Sequence, residues 1–485
     1  MTVLPAHDAA IRFLTERINF ERSRDMPYRS RELKLQRMEQ LLERLGRPQD
    51  RLQIVHIAGT KGKGSTAATM SALLQAGGYR TGLFISPHIE RLEERIQVND
   101  QMCSPTELAE LVDAVRPVVA AMDAIDERPT FFEVINSMAY LQFVRHAVDW
   151  VVMEVGLGGR LDSTNVCSPR LTMITSISFD HTKQLGNTLA AIAREKAGII
   201  KPGVPVISGV TDSEPAAVIR QISRQRSAEL FRLGQEIRLS YRPPAGERRV
   251  PEGGELDLAW SPATSMPPRS GLTLTLPGFH QASNAALAVA GFDLLHRDHP
   301  VPDSVLQQGL RLVRCPGRIE VLATQPLLLL DSAHNAASAQ ALAEVLAGLE
   351  RRPRRHLLLT TTLGKDVQGI LTALLPCFDR VVISCYSDNP RSYPPRRLFS
   401  EALSVANRLW PGGISGLEIG HGPVHVARPN DEPLEVLWHG TAESGWQDFT
   451  AATGPDDLAC VTGSFFFVSE ARRLLQQTRW GNSGA

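Results

Sequence analysis

The apolar run "LQIVHIA" (Leu52–Ala58) stops at Gly59, and "GTKGKGST" (Gly59–Thr66) leads directly into "AATMSALLQAGG". A short apolar run closed by glycine predicts a buried strand, and the residue spacing after it predicts a helix that ends at Gly77-Gly78. Strand, Gly-rich turn and helix make half of a βαβ unit, and the rest of the chain repeats the alternation. "RTGLFIS" reads as the next strand. Ser104-Pro105-Thr106-Glu107 is a capping box with Pro at the first helical position, and it opens a helix through "ELAELVDAVRPVVAAM". "DWVVMEV" and "RLTMITSIS" read as further buried strands. Such alternation specifies an α/β protein built on a mainly parallel sheet covered by helices. In that architecture ligands collect at the carboxyl ends of the strands, where Gly59, Glu154 and His181 fall.

A second α/β series follows "VRCPGRIEV". It runs through "LLLLD", "ASAQALAEVLAGLE", "HLLLTTT", "VQGILTALL", "RVVIS" and "LACVTGS" to a terminal helix. With 485 residues the chain exceeds one ordinary core. Two domains are therefore expected, residues 1–313 and a smaller 314–485. Residues 241–270 and 411–433 are rich in Pro and Gly, and each reads as a loop or hairpin insertion. Hydrophobic residues make up 43% and charged residues 21%, a globular balance. The 52 basic and 52 acidic residues cancel, so no global field favours nucleic acid or a membrane. No apolar run approaches spanning length, and the six scattered cysteines suit a reducing compartment. A cytoplasmic protein is expected.

The turn poses a question of chemistry. The usual phosphate-binding loop asks for Gly, four residues, then Gly-Lys-Ser/Thr. Counting back from Gly62-Lys63, the first glycine would have to stand at Ile57, and Gly64 follows the lysine before Ser65 and Thr66. Even so, inward N–H groups, a positive helix end and a mobile lysine charge are what a triphosphate needs. A plain turn with solvent-facing lysines is the alternative.

Other polar groups stand at strand or helix ends. Glu154 opens "EVGLGGRLDSTN", Asp180 and His181 lie in "SISFDHTKQLG", and Lys196 lies in "AREKAGIIKPG". A hard cation such as Mg²⁺ takes oxygen ligands, usually one or two protein groups plus phosphate, so Glu154 suits it. A lone histidine such as His181 serves equally as a core or capping residue. "PGFHQASNAALAVA" places Asn284 at a helix start; "CPGRIEV" holds Arg318; "LLLLDSAHN" holds Asp331 and His334. Each reads alone as a turn with a cap.

Together the segments resemble the folylpolyglutamate synthase/dihydrofolate synthase family of the Mur ligase superfamily. The matches run in order: "LGRP", "HIAGTKGKGST", "SPHIERLEERI", "FFEVINSMA", "EVGLGGRLDSTN", "DHTKQLG", "REKAGIIKPG", "GFHQASNAA", "PGRIEV", "DSAHN" and "VTGSFFFVSEARRLL". The superfamily's loop is the shorter Gly-x-x-Gly-Lys form, which "GTKGKGS" fits. The resemblance implies an N-terminal P-loop ATPase domain and a smaller Rossmann-like C-terminal domain. It implies ATP-dependent addition of L-glutamate to folates, and also to dihydropteroate, through an acyl phosphate. It further implies ATP at Thr60, Lys61, Gly62, Lys63, Gly64, Ser65, Asn284, Arg318, Asp331 and His334. Mg²⁺, as two ions with K⁺ as a further candidate, is implied at Ser86, Glu154, His181 and a carbamylated Lys196. The pteroate side is implied at Thr130, Phe131, Phe132, Glu133, Leu161, Asp162 and Ser163. Lys63, His181 and Lys196 are the implied catalytic groups, the partners are small molecules alone, and a monomer is expected.

Three departures stand out. Lys61 replaces a frequent Asn, Ala336 replaces a usual Pro after "DSAHN", and "INFERSRDMPYRSRELKLQRM" matches weakly. A ligase for a cell-wall nucleotide precursor would share the chemistry but not "SPHIERLEERI" or "FFEVINSMA". A non-catalytic nucleotide-binding protein would have no use for Glu154, His181, Lys196, Arg318 and Asp331 together.

Overall fold

A computed structural model describes residues 3–21, 35–264, 266–387, 389–415, 422–429 and 431–478. Most of the weakly matching N-terminal segment, residues 22–34, lies outside them. The chain forms two compact units. One gathers Met1–Arg242, Gly254–Thr275 and His280–Arg314; the other gathers Pro243–Gly253, Leu276–Phe279 and Cys315–Ala485.

The first unit is built on an eight-stranded sheet. Its order is Gln101–Met102, Ile96–Val98, Thr81–Phe84, Trp150–Glu154, Ile54–Ala58, Leu171–Ile174, Val206–Ser208, Leu230–Arg232. Only the pairings made by Ile96–Val98 are antiparallel. Every residue of the central strand Ile54–Ala58 is buried, as a parallel strand covered on both faces requires. The helix Lys63–Ala76 buries Ala67, Met70, Leu73 and Leu74 on that sheet. The capping box at Ser104 is present, with Ser104 Oγ accepting from Glu107 N–H and Glu107 Oε2 accepting from Ser104 N–H at 2.8 Å. Residues 241–270 are more regular than their Pro/Gly content suggests. Glu255–Trp260 and Arg269–Thr273 join Ile237–Arg242 in a three-stranded antiparallel sheet. Leu256, Leu258 and Trp260 alternate into the core with Leu272, so side-chain periodicity overrides the turn-rich composition.

The second unit holds another eight-stranded sheet, ordered Glu320–Thr324, Leu327–Leu330, Leu458–Thr462, Arg355–Leu359, Arg380–Ile383, Asp431–Trp438, Val424–Arg428, Ile414–Ser415. Its inner pairs are parallel and its edges antiparallel. The stretch 411–433 contains the antiparallel pair Ile414–Ser415 and Val424–Arg428, the hairpin alternative of its reading, although residues 416–421 and 430 lie outside the described set. Among the described residues no helix is long and apolar enough to cross a membrane.

Candidate functional site

The Gly-rich turn is held from behind by the neighbouring strand. Thr60 N–H donates to Ser176 O at 2.8 Å and Lys61 N–H to Ser176 Oγ at 2.9 Å. The Lys61 carbonyl accepts from Thr175 Oγ1 at 2.6 Å. Gly62 adopts φ 82°, in the left-handed region, and a Cβ there would lie 2.1 Å from Asn284 Oδ1. Both the backbone angle and the contact demand glycine. The helix beginning at Lys63 has no side-chain cap, so its first-turn N–H groups face outward for an anion. Gly62→Ala is expected to weaken ADP binding roughly tenfold or more, since left-handed backbone alone costs about 1–2 kcal/mol. Calorimetric titration with ADP checks this, and unchanged affinity would remove the loop–Asn284 contact from the site.

Around that turn the charges alternate. Glu154, 4% exposed at the end of its strand, lies 3.9 Å from Lys63 Nζ and accepts the Ser86 N–H at 3.0 Å. A Cβ on Gly64 would sit 3.7 Å from Glu154 Oε2, so the helix start passes close over the carboxylate. Lys61 Nζ pairs with Asp180 Oδ2 at 2.8 Å. Lys196 ends the helix Leu189–Lys196, is 5% exposed and donates to Gly59 O at 2.8 Å. Burial pushes its amine well below the usual lysine range, the Lys63 charge adds to this, and Asp180 opposes it. His181 starts the short helix Thr182–Leu185 at φ 50°, its Nε2 3.9 Å from Asp180 Oδ1. Ser86, Glu154, Lys63, Lys61, Asp180 and Lys196 therefore gather at the carboxyl ends of the inner strands of the first unit's sheet. Their oxygen donors, a buried carboxylate foremost, are of the kind that holds Mg²⁺.

Thr130 to Glu133 open the helix Phe131–Arg145 with a second capping box. Glu133 Oε2 accepts from Thr130 N–H at 2.7 Å and from Thr130 Oγ1 at 2.9 Å, and Arg37 Nε donates to it at 2.8 Å. With its carboxylate so engaged and 5% exposed, Glu133 is a scaffold for its neighbours. Phe131 lies under the Arg95 guanidinium, 5.2 Å from ring centre, and Phe132 packs near Phe84. Leu161 is half-buried, Asp162 caps a short helical turn, and Ser163 Oγ accepts from Asn136 Nδ2 at 3.1 Å.

Arg318, Asp331 and His334 form a separate group in the second unit. Asp331 is buried and accepts the N–H groups of Ile319 and Ala333 at 2.9 and 2.8 Å. Burial raises its pKa, and the Arg318 charge opposes that rise. Arg318 lies 4.6 Å above the Phe465 ring. His334 Nδ1 lies 2.9 Å from the Ser332 carbonyl and so carries the proton, which leaves Nε2 as the acceptor in the neutral ring. Asn335, not His334, caps the helix that follows. Two participants escaped the sequence reading. Arg37 is joined to Glu133 across 96 residues, which no local pattern announces. Asp180 stood beside His181 but was given no partner, because its pairing with Lys61 arises only when the strand ends meet.

The two units are those of a Mur ligase. The Mur ligase middle domain matches residues 57–291, and the Mur ligase glutamate ligase domain matches residues 317–465. The chain is 33% identical over 446 residues to the dihydrofolate synthase/folylpolyglutamate synthase of Bacillus subtilis (strain 168), spanning 91% of this chain and 95% of that one. It is 30% identical over 454 residues to the folylpolyglutamate synthase of Lacticaseibacillus casei, spanning 90% and 92%. The crystal structure of Mycobacterium tuberculosis folylpolyglutamate synthase complexed with ADP and AMPPCP matches with a TM-score of 0.81 at 29% identity, covering 97% and 98%. The chain belongs to the folylpolyglutamate synthase/dihydrofolate synthase family.

Proposed function

We propose that this protein is an ATP-dependent ligase that joins L-glutamate to folates and to dihydropteroate. The observation that carries the reading is the meeting of a Gly-rich phosphate turn with Glu154, Lys63 and a buried Lys196 at the carboxyl ends of the inner strands. The family supplies the substrate class, since the Bacillus relative bears both synthase names.

The carboxylate of the pteroate, or of the folate's glutamate, attacks the γ-phosphate of ATP, ADP leaves, and an acyl phosphate remains. The glutamate amine then adds to the acyl carbon, and phosphate departs as the amide forms. Phosphoryl transfer relies mainly on positioning and charge neutralisation. Gly62 to Ser65 hold the phosphates through backbone N–H groups, Thr60 and Lys61 shape the turn from its start, and the Lys63 ammonium faces the charge that develops. Glu154, with Ser86, His181 and a carbamylated Lys196, would hold Mg²⁺, which would neutralise phosphate oxygens. Lys61, engaged with Asp180, borders the same turn. Asn284, Arg318, Asp331 and His334 bind the nucleotide. Thr130, Phe131, Phe132, Leu161, Asp162 and Ser163 shape the pteroate side, with Glu133 fixing the first three. The reading places the enzyme in the cytoplasm as a monomer, with two Mg²⁺ ions and K⁺ as a further candidate.

Labelled glutamate offered with dihydropteroate and with tetrahydrofolate separately tests the reading. ATP turnover and product with both are expected, and turnover indifferent to either pterin would overturn it. Arg318→Ala is expected to raise the KM for ATP about tenfold or more, the scale of one lost charged hydrogen bond. Folate binding measured without nucleotide should stay unchanged; a large loss there would assign Arg318 to the other substrate.

A further inference from the structure

Behind the turn strand, three buried side chains, Cys167, His56 and Thr164, form a one-directional hydrogen-bond chain ending on Asp162. His56, Tyr140 and Thr164 are 0% exposed and Cys167 is 1% exposed. His56 Nε2 lies 2.9 Å from Thr164 Oγ1, Thr164 Oγ1 lies 2.5 Å from Asp162 Oδ1, and Cys167 Sγ lies 3.6 Å from His56 Nδ1. Tyr140 donates its hydroxyl to the Thr164 carbonyl at 3.4 Å.

The direction is set at the Asp162 end. Leu157 N–H donates to Oδ2 at 2.8 Å and Thr164 N–H to Oδ1 at 3.0 Å, and backbone donors cannot reverse. Burial pushes the Asp162 carboxyl up, while these donors and the Lys63 charge favour its ionised form. The donor arrangement is the one a carboxylate takes, so the Thr164 hydroxyl gives its hydrogen to Oδ1. Its oxygen is then left to accept, and His56 Nε2 must donate. Nδ1 is in turn an acceptor, to which the Cys167 thiol donates. Protonation agrees with every step. Burial, aided by the Lys201 charge, lowers the His56 pKa to about 3, and burial raises that of Cys167 to about 12. A neutral imidazole in one tautomer thus joins the strand that delivers the phosphate turn to the turn that carries Leu161, Asp162 and Ser163.

We infer that His56 is a positioning residue: as an Nε2–H donor it orients Thr164, and through it the Leu161–Ser163 turn, for the folate. This rests on the folate-side reading of that turn. A histidine present only for bulk would need no defined tautomer and would tolerate no difference between Gln and Leu in its place.

The test uses the full chain with His56→Gln, His56→Leu, Thr164→Val and the double variant His56→Leu/Thr164→Val. The glutamine amide keeps a donor near the Nε2 position. His56→Leu and Thr164→Val are each expected to raise the KM for tetrahydrofolate about tenfold, the size of one lost neutral hydrogen bond. His56→Gln should stay close to wild type, the double variant should be no worse than either single one, and the KM for ATP should not move. The ¹⁵N spectrum of histidine-labelled wild-type protein should show a neutral Nε2–H ring at pH 7, assigned among the 13 histidines by its loss in His56→Gln. An Nδ1–H ring overturns the inference, as does equal damage from Gln and Leu or a joint rise of both KM values. If wild-type protein ligates glutamate to neither pterin, the functional reading fails by itself, and the tautomer still decides the hydrogen-bond chain.

Discussion

Lys63→Ala is expected to lower the ligation rate by two to three orders of magnitude and to leave the fold intact. The side chain opens the helix behind the turn and holds the ammonium 3.9 Å from Glu154, an approach too long for a tight pair. Its charge is therefore available to a phosphate group held by the turn. Loss of one oriented electrostatic contact to a transition state costs about 2.7–4 kcal/mol, which sets the expected loss. The lysine is not part of the apolar core, so circular dichroism and the melting temperature should change little. The rate is read with saturating glutamate and folate across an ATP series. Near-normal turnover with a normal spectrum would remove the turn from the chemistry.

Lys196 gives the second large effect. Its amine is buried, donates to the Gly59 carbonyl and is held well below the usual lysine range by burial and then by Lys63. A neutral amine is the form that adds to carbon dioxide, and the resulting carbamate supplies the oxygen donors a hard cation prefers. An ammonium at that place would instead repel each unit of cation charge by ~4 kcal/mol at 4 Å and an effective dielectric of 20. Lys196→Ala should therefore lose activity by about two orders of magnitude, the scale of one oriented electrostatic group. Short carboxylic acids should restore part of it. ¹³C-bicarbonate should give a carbamate resonance in wild-type protein that the variant lacks. Full activity of Lys196→Arg in bicarbonate-free buffer would end the modified-lysine role while leaving the ligase reading in place.

Legibility in the sequence followed the range of the interactions. The strand Ile54–Ala58, the helix Lys63–Ala76 and the box at Ser104 rest on contacts a few residues apart, and local pattern reveals such contacts. The strand Glu255–Trp260 alternates correctly in "ELDLAW", but flanking Pro and Gly masked it. Thr130-x-x-Glu133 is a capping box in plain sight. Reading it only as substrate lining passed over the local role that occupies the Glu133 carboxylate. Arg37–Glu133, Lys61–Asp180 and His56–Thr164 span 96 to 119 residues, and only the assembled sheet joins them. Motif resemblance nominated the residues of the site, whereas the hydrogen bonds that orient them became visible only in three dimensions.

The chain crosses between its two units at 242/243, 253/254, 275/276, 279/280 and 314/315. The excursion Pro243–Gly253 is stitched into the second unit. Glu350 N–H donates to the Arg248 carbonyl at 2.9 Å, the Arg248 guanidinium reaches Gly348 O at 3.2 Å, and Val250 packs on the core there. A cut at residue 314 would thus deprive the C-terminal fragment of a piece of its own wall. Gene-level shuffling of these modules between relatives must carry the excursion along with the C-terminal half, so an exchange at one junction yields a chimera with mismatched seams.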